Sequence, residues 1–133
     1  MRHYLLDTNI CISILKDKYG IREKVLDVSP KNCFISEITI AELFYGAAKS
    51  QRAEHFKDID HIINMFKVLP VYPSLRLYGK LKAELEQKGQ RIDEFDLLIG
   101  ATSITNNMTM VTSNTKHFER ITGIHLENWM EQK

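Results

Sequence analysis

The start of the chain constrains its fold most, because an apolar run there leads directly into a carboxylate and a helix-capping signal. Residues 4–6 (Tyr-Leu-Leu) are apolar, which predicts a buried strand, although so short a run does not exclude a helix. Asp7, Thr8 and Asn9 follow, and residues of these types cap helices. A second apolar stretch covers residues 10–15. The N-terminus therefore predicts a strand–helix junction with a carboxylate at the carboxyl end of the strand.

Strand-like and helix-like segments alternate along the rest of the chain. Short apolar segments occur at residues 33–35, 68–71, 108–112 and 125–127, and helical signals occur at residues 21–28, 36–50, 52–66, 73–88, 95–105 and 115–120. Such alternation is typical of a parallel sheet covered by helices on both faces, so we predict an α/β fold. Pro70 cannot donate a ladder hydrogen bond, so its strand is placed at an edge. Either Ser36 or Thr39 can cap the third helix.

Length and charge limit the class of protein. The 133 residues suit one domain, and we predict that residues 1–133 form it. The net charge of +1 provides no bulk attraction to nucleic acid, so any such surface would need local clustering. Asp7 interrupts the first apolar run, no secretory cleavage site follows, and no run approaches the ~20 apolar residues of a membrane span. Cys11 and Cys33 are isolated, as expected of reduced thiols in a cytoplasmic protein.

Three acids lie where an isolated carboxylate would be costly. Asp7 alone is explained equally well as a helix cap. Glu42 lies beside an apolar helical stripe, where it needs a partner, a cation, or a side chain that reaches solvent. Asp96 lies in the first turn of a segment that is apolar nearly all round. The helix dipole favours an acid there by only ~0.3–1 kcal/mol, which is too little to offset full burial. A bound cation is therefore the better explanation.

The type of cation follows from the ligand atoms. Ligands of open parallel sheets bind beyond the carboxyl ends of the strands, where we expect Asp7, Glu42 and Asp96 to meet. Carboxylate oxygens favour Mg²⁺, with Mn²⁺ possible. Zinc is disfavoured, because the five histidines and two cysteines lack metal-ligand spacing, and we expect the histidines at or near the surface. The sequence contains no glycine-rich phosphate loop and no nucleophile elbow.

Four short motifs follow one another along the chain. They are Asp7-Thr8-Asn9, Ala41-Glu42-Leu43, Asp96-Leu97-Leu98-Ile99 and Val111-Thr112-Ser113-Asn114. In these motifs the chain resembles the PIN-domain ribonucleases over essentially its whole length, above all the toxin component of VapBC-type toxin–antitoxin pairs. The resemblance implies a three-layer sandwich whose parallel sheet has strand order 3-2-1-4-5. It also implies a Mg²⁺-dependent endoribonuclease that cuts structured or translation-related RNA such as tRNA. Such a toxin is usually a homodimer that a cognate VapB-type antitoxin neutralises, with larger assemblies possible.

The resemblance assigns roles to the three acids. Asp7, Glu42 and Asp96 fall on the three acidic metal-site positions of the family, and all three are the expected catalytic residues. Asp7 and Asp96 would bind the metal directly. Glu42, directly or through a metal-bound water, would help to position and deprotonate the attacking water.

Three further residues would complete the pocket. The fourth family position, often Asp, is here Asn114, which makes a fully occupied two-metal site doubtful. Thr112 would line the same pocket. Asp93 could replace part of the missing charge if it lies inside the helix that carries Asp96.

Candidate RNA contacts are basic side chains near these acids. They are Lys49, Arg52, Arg91 and Lys116. Taken one at a time, each of them is better explained as a solvated surface residue. Phe44 and Phe56 could serve contacts with a second copy or an antitoxin, and core packing is the alternative for both.

Two other functions fit part of the pattern. Haloacid-dehalogenase-type phosphatases also carry an aspartate after the first strand, which here would make Asp7 a nucleophile. That class needs a second Asp two residues later, where this chain has Asn9. An inactive PIN-like binding module is the non-enzyme alternative, and Asn114 is the feature in its favour.

Overall fold

A five-stranded parallel sheet forms the centre of the molecule, and its first strand is the middle one. The computed structural model describes residues 2–130. The strands are β1 (Tyr4–Leu6), β2 (Cys33–Ser36), β3 (Lys67–Leu69), β4 (Thr109–Val111) and β5 (Leu126–Glu127). Their order is β3-β2-β1-β4-β5, and every neighbouring pair is parallel. The α/β class and the strand order 3-2-1-4-5 are confirmed.

Helices connect successive strands, as the alternation of signals predicted. They are α1 (Thr8–Lys16), α2 (Ile21–Val28), α3 (Glu37–Ser50), α4 (Ala53–Met65), α5 (Leu75–Gln87), α6 (Glu94–Thr105) and α7 (Thr115–Phe118). Short 3₁₀ turns cover Pro30–Asn32 and Tyr72–Ser74. The predicted helical segments are all present, and their ends differ from the prediction by no more than two residues, the usual uncertainty at helix termini.

Four local predictions are decided by the structure. Strand β3 ends at Leu69, so extending it through Pro70 was wrong, because proline has no N–H for the ladder. The edge position of β3 is confirmed. Ser36 caps α3, since its hydroxyl accepts a hydrogen bond from the Ile38 N–H at 3.0 Å. Helix α6 begins at Glu94, one residue earlier than predicted.

Side chains on successive strand residues point to opposite faces of the sheet and build two cores. Leu6 and Val111 belong to the core under α1–α4, whereas Leu5 and Met110 belong to the core under α5 and α6. This is the period-two alternation of a strand buried on both faces. It produces the predicted three-layer sandwich. Within residues 2–130, no helix has both the length and the apolar character needed to cross a bilayer.

Candidate active site

Asp7 is held at the carboxyl end of β1 by contacts to two other segments. Its backbone N–H donates to the Val111 carbonyl at 2.9 Å, which extends the pairing of β1 with β4. Its Oδ1 accepts from the Thr8 N–H at 2.8 Å, and its Oδ2 accepts from the Thr112 hydroxyl at 2.9 Å. The side chain of Asp7 is buried, as is that of Thr112. Asp7 is therefore a helix cap and also a buried carboxylate at the sheet edge.

Glu42 reaches the same edge from α3 through a chain of hydroxyl groups. Its Oε1 accepts from the Thr8 hydroxyl at 2.6 Å, and the Thr8 and Thr39 hydroxyl oxygens are 3.1 Å apart. A hydroxyl has one hydrogen, so Thr8 donates to Glu42 and accepts from Thr39. Among the described residues no cationic side chain forms an ion pair with Glu42. Glu42 is therefore held by hydroxyl groups rather than by a positive charge.

Asp96 lies in the first turn of α6 and contacts α7. Its Oδ2 is 3.2 Å from His117 Nε2, and His117 Nδ1 is 2.8 Å from the Arg120 guanidinium. No histidine was expected in the site, so this contact was not predicted. The available signal was the position of His117, which lies three residues after Asn114 on a predicted helical turn.

The electrostatics of the acids indicate that they surround one region. Burial raises the pKa of Asp7, Glu42 and Asp96 above the ordinary carboxyl value, and it is the largest cause for each. The negative charges add to this effect. Asp96 raises the pKa of Asp7, while Asp7 and Asp93 raise that of Glu42. Asp93 and Glu42 raise the pKa of Asp96, which His117 lowers. A positive charge bound among these carboxylates would favour their ionised forms.

The ligand atoms suit a hard, hydrated cation. Carboxylate and hydroxyl oxygens face this region, and its histidine, His117, is already engaged by Asp96 and Arg120. In the described part of the chain, no three His, Cys, Asp or Glu side chains are close enough together to bind one ion directly. Mg²⁺ commonly keeps several waters and binds proteins through one or two carboxylates. The donor set therefore fits Mg²⁺ or Mn²⁺ and disfavours zinc.

The residues expected to complete the pocket lie around the acids. Asp93 is the N-cap of α6, and its side chain accepts from the Phe95 N–H at 3.1 Å. It therefore lies just outside the helix. Asp93 was expected to replace part of the missing charge only if it lay inside that helix, and it does not. Asn114 precedes α7 and is exposed. Its backbone N–H donates to the Thr112 hydroxyl at 3.1 Å, which links the loop after β4 to Asp7.

The basic candidates fall into two groups. Arg91 and Lys116 are exposed and lie in the segments that carry Asp93 and His117. Lys49 and Arg52 are also exposed, and Arg52 pairs with Glu54 at 3.7 Å. Lys49 is seven residues after Glu42, about 10 Å along the helix axis. Lys49 is thus almost two helical turns from Glu42.

The two phenylalanines differ in their environment. Phe44 is partly buried and packs against the core under α1–α4. Phe56 is 39% exposed and stacks on Phe44, with ring centroids 6.2 Å apart. Core packing thus accounts for Phe44, while much of Phe56 stays accessible.

Comparison with known proteins relates this arrangement to one family. The family model of the PIN domain matches residues 4–124. Ribonuclease VapC2 of Rickettsia felis is 38% identical over 130 residues, which cover 95% of this chain and 97% of the relative. The tRNA(fMet)-specific endonuclease VapC of Shigella flexneri is 36% identical over 132 residues, which cover 97% of this chain and 99% of the relative. A solved structure of VapBC2 from Rickettsia felis, bound to a DNA fragment from their promoter, superposes with a TM-score of 0.86 at 37% identity. That match covers 95% of this chain and 98% of the other.

Proposed function

This chain belongs to the PIN-domain family, and from that premise we propose that it is the endoribonuclease toxin of a VapBC-type pair. It hydrolyses phosphodiester bonds in RNA, and a VapB-type antitoxin neutralises it. Relatives named as VapC ribonucleases align over nearly the whole chain at more than one-third identity. The solved VapBC2 complex shares the fold at 37% identity. The activity and the partner follow from this combination.

One observation carries the proposal that Asp7, Glu42 and Asp96 form the catalytic site. These acids come from three separate segments: Glu42 accepts a hydrogen bond from Thr8, the neighbour of Asp7, and Asp96 contacts His117 on the helix that follows β4. In agreement with this geometry, the charge of each acid raises the pKa of another. A structural role alone gives no reason to place one buried and two partly buried carboxylates near one another without a cation. A site that binds Mg²⁺, or Mn²⁺ in its place, removes that conflict.

Asp7 and Asp96 are the residues that would hold the cation. A bound divalent cation supplies stabilisation of the negative charge that develops on the phosphate. Glu42 acts as the base, because Thr8 occupies its Oε1 while its Oε2 has no hydrogen-bond partner in the described part of the chain. Oε2 is thus the atom that accepts a proton from the attacking water. Thr112 keeps the Asp7 carboxylate oriented toward the pocket.

The substrate class follows from the charge of the protein and from its relatives. With a net charge of +1, non-specific attraction to RNA is weak, so the shape of a folded RNA or its unpaired bases must provide recognition. The Shigella flexneri relative is a tRNA-specific endonuclease, and tRNA has both features. Arg91 and Lys116 contact the backbone beside the scissile phosphate, with Lys49 and Arg52 further along it. The active form is a cytoplasmic homodimer.

Neither alternative function gains support. A phosphatase with Asp7 as nucleophile requires an acid at position 9, where Asn9 is exposed. An inactive binding module would account for Asn114. It would not account for the grouping of three carboxylates whose pKa values are all raised.

The test is a brief incubation of the purified protein with total RNA and Mg²⁺, followed by sequencing of the new RNA ends. The wild-type protein should cut a small set of RNAs, with tRNA prominent among them. Asp96→Asn should remove cleavage while the protein stays folded. Asp60→Asn is the matched control, because Asp60 is an exposed acid on α4, and it should cut like the wild type. Wild-type turnover by Asp96→Asn would exclude Asp96 from the catalytic site.

A further inference from the structure

Helix α7 presents a histidine whose two ring nitrogens are both occupied. His117 Nε2 is 3.2 Å from Asp96 Oδ2, and His117 Nδ1 is 2.8 Å from Arg120 Nη2. Both side chains of the His117–Asp96 pair are mostly shielded, with 22% and 30% of their surfaces exposed. This arrangement joins the site to a segment that the proposed chemistry does not use.

The direction of these hydrogen bonds follows from arginine chemistry. A guanidinium is always a donor and never an acceptor, so His117 Nδ1 must accept from Arg120. The ring proton is then on Nε2, which donates to Asp96 Oδ2. Arg120 Nε also donates to the backbone carbonyl of His117 at 3.1 Å. Arg120 therefore donates hydrogen bonds to both the backbone and the ring of His117.

Packing holds the same ring in place. His117 lies edge-on to Phe118, with centroids 5.2 Å apart and an interplanar angle of 83°. Phe118 is fully buried beside Gly100 of α6, where an added Cβ would lie 3.9 Å from its ring. The imidazole is thus anchored to the helix that carries Asp96, and it has little freedom to turn away.

We infer that His117 and Arg120 are positioning residues of the nuclease, with Arg120 fixing the ring tautomer that lets His117 Nε2–H hold Asp96 Oδ2. The inference rests on the proposed function. Its consequence is that Asp96 Oδ1 would remain free to bind the cation, because among the described residues His117 is the hydrogen-bond partner of the Asp96 carboxylate. Outer hydrogen-bond partners of this kind orient the residues that bind a metal.

The first experiment reads the tautomer directly in metal-free protein. ¹⁵N chemical shifts of the histidine rings, recorded at about pH 8 where histidine is ordinarily neutral, should show His117 protonated on Nε2. In Arg120→Met, which removes both donors, a fraction with the proton on Nδ1 should appear. A wild-type ring protonated on Nδ1, or an unchanged ring in Arg120→Met, would overturn the inference.

The second experiment separates the donor from the shape of the ring. His117→Gln keeps an N–H donor, whereas His117→Phe keeps an aromatic ring and lacks the donor. Mn²⁺ affinity, and turnover on RNA with Mg²⁺, should fall roughly 10- to 100-fold in His117→Phe and recover substantially in His117→Gln. His61→Ala, an exposed histidine on α4, should behave like the wild type. Equal Mn²⁺ affinity in His117→Phe and the wild type would refute the positioning role.

The outcomes distinguish this inference from the proposed function. If wild-type protein cuts no RNA, the nuclease proposal fails, yet the tautomer and the Mn²⁺ affinities still decide whether His117 positions Asp96. If the wild type cuts RNA and the His117 variants cut equally well, the inference alone is refuted.

Discussion

The hydrogen bond between Thr8 and Glu42 allows the sharpest test of the proposed base. The Thr8 hydroxyl donates to Glu42 Oε1 at 2.6 Å, across 34 positions in sequence. Thr8→Val replaces the hydroxyl with a methyl group of similar size, and Thr8→Ser keeps the hydroxyl. The two variants therefore separate the hydrogen bond from the volume of the side chain.

The size of the effect follows from the charge of the acceptor. A hydrogen bond to a charged group contributes about 1.5–3 kcal/mol. If the Thr8 bond contributes fully to the transition state, its loss should reduce kcat/KM roughly 10- to 150-fold, at about 1.4 kcal/mol for each factor of ten. Burial already raises the pKa of Glu42, and the Thr8 bond is the first contact that lowers it. Thr8→Val should therefore raise that pKa further.

Two measurements check this reasoning. Steady-state cleavage of an RNA identified by end sequencing should show the loss in Thr8→Val and near wild-type kcat/KM in Thr8→Ser. In metal-free protein, the ¹³C shift of the Glu42 carboxyl should titrate at higher pH in Thr8→Val than in the wild type. Thermal unfolding establishes that both variants are folded.

The argument fails if Thr8→Val retains wild-type kcat/KM and the Glu42 carboxyl titrates where it does in the wild type. That result would mean that the Thr8–Glu42 contact is incidental to the site. A loss of activity in Thr8→Ser equal to that in Thr8→Val would point to the missing methyl group instead.

Three other predictions concern stability. Burial raises the pKa of Asp7 in the folded protein above the ordinary value of 3.8. At a pH above the raised pKa, the ionised carboxyl therefore lowers the free energy of unfolding, whereas at a pH below 3.8 the carboxyl is protonated in both states and has no such effect. Urea unfolding in EDTA should therefore show Asp7→Asn more stable than the wild type at neutral pH, with the gap closing toward about pH 4. Mg²⁺ at about 100 times its Kd should add about 2.7 kcal/mol to the unfolding free energy of the wild type, and calorimetry should show most of this lost in Asp96→Asn. The Ser74 hydroxyl is buried without a partner in the described residues, so Ser74→Ala should gain about 1 kcal/mol in urea unfolding; a loss would contradict this account.

Most of the fold could be predicted from local patterns. Apolar runs of strand length, helical periodicity and capping residues are set by neighbours in sequence. The alternation of strands and helices predicted a parallel sheet and hence the fold class. The family likeness predicted the strand order. The error at Pro70 arose because a short apolar run does not mark where the ladder hydrogen bonds end. The choice between Ser36 and Thr39 as a cap was open for a similar reason, since both have a suitable hydroxyl.

The candidate site, like the fold, could be predicted only in part. Asp7, Glu42 and Asp96 were identifiable because acids next to apolar stretches stand out, and because the order of the motifs resembles a known family. The partners of these acids were harder to predict. Thr112 is 105 positions from Asp7, and His117 is 21 positions from Asp96. The family likeness placed Thr112 in the pocket, and the position of His117 after Asn114 was a weak local signal, but neither showed which atoms these side chains would contact.

The sequence by itself determined which carboxylates lie next to apolar segments and the α/β frame that carries them, because apolar runs and periodicity are local properties of the chain. Only the tertiary structure decided which oxygen of each carboxylate is already hydrogen-bonded, and that Arg120 determines the position of the proton on His117. Hydrogen bonds depend on distance and direction between atoms, and the packing of the sheet against its helices sets both.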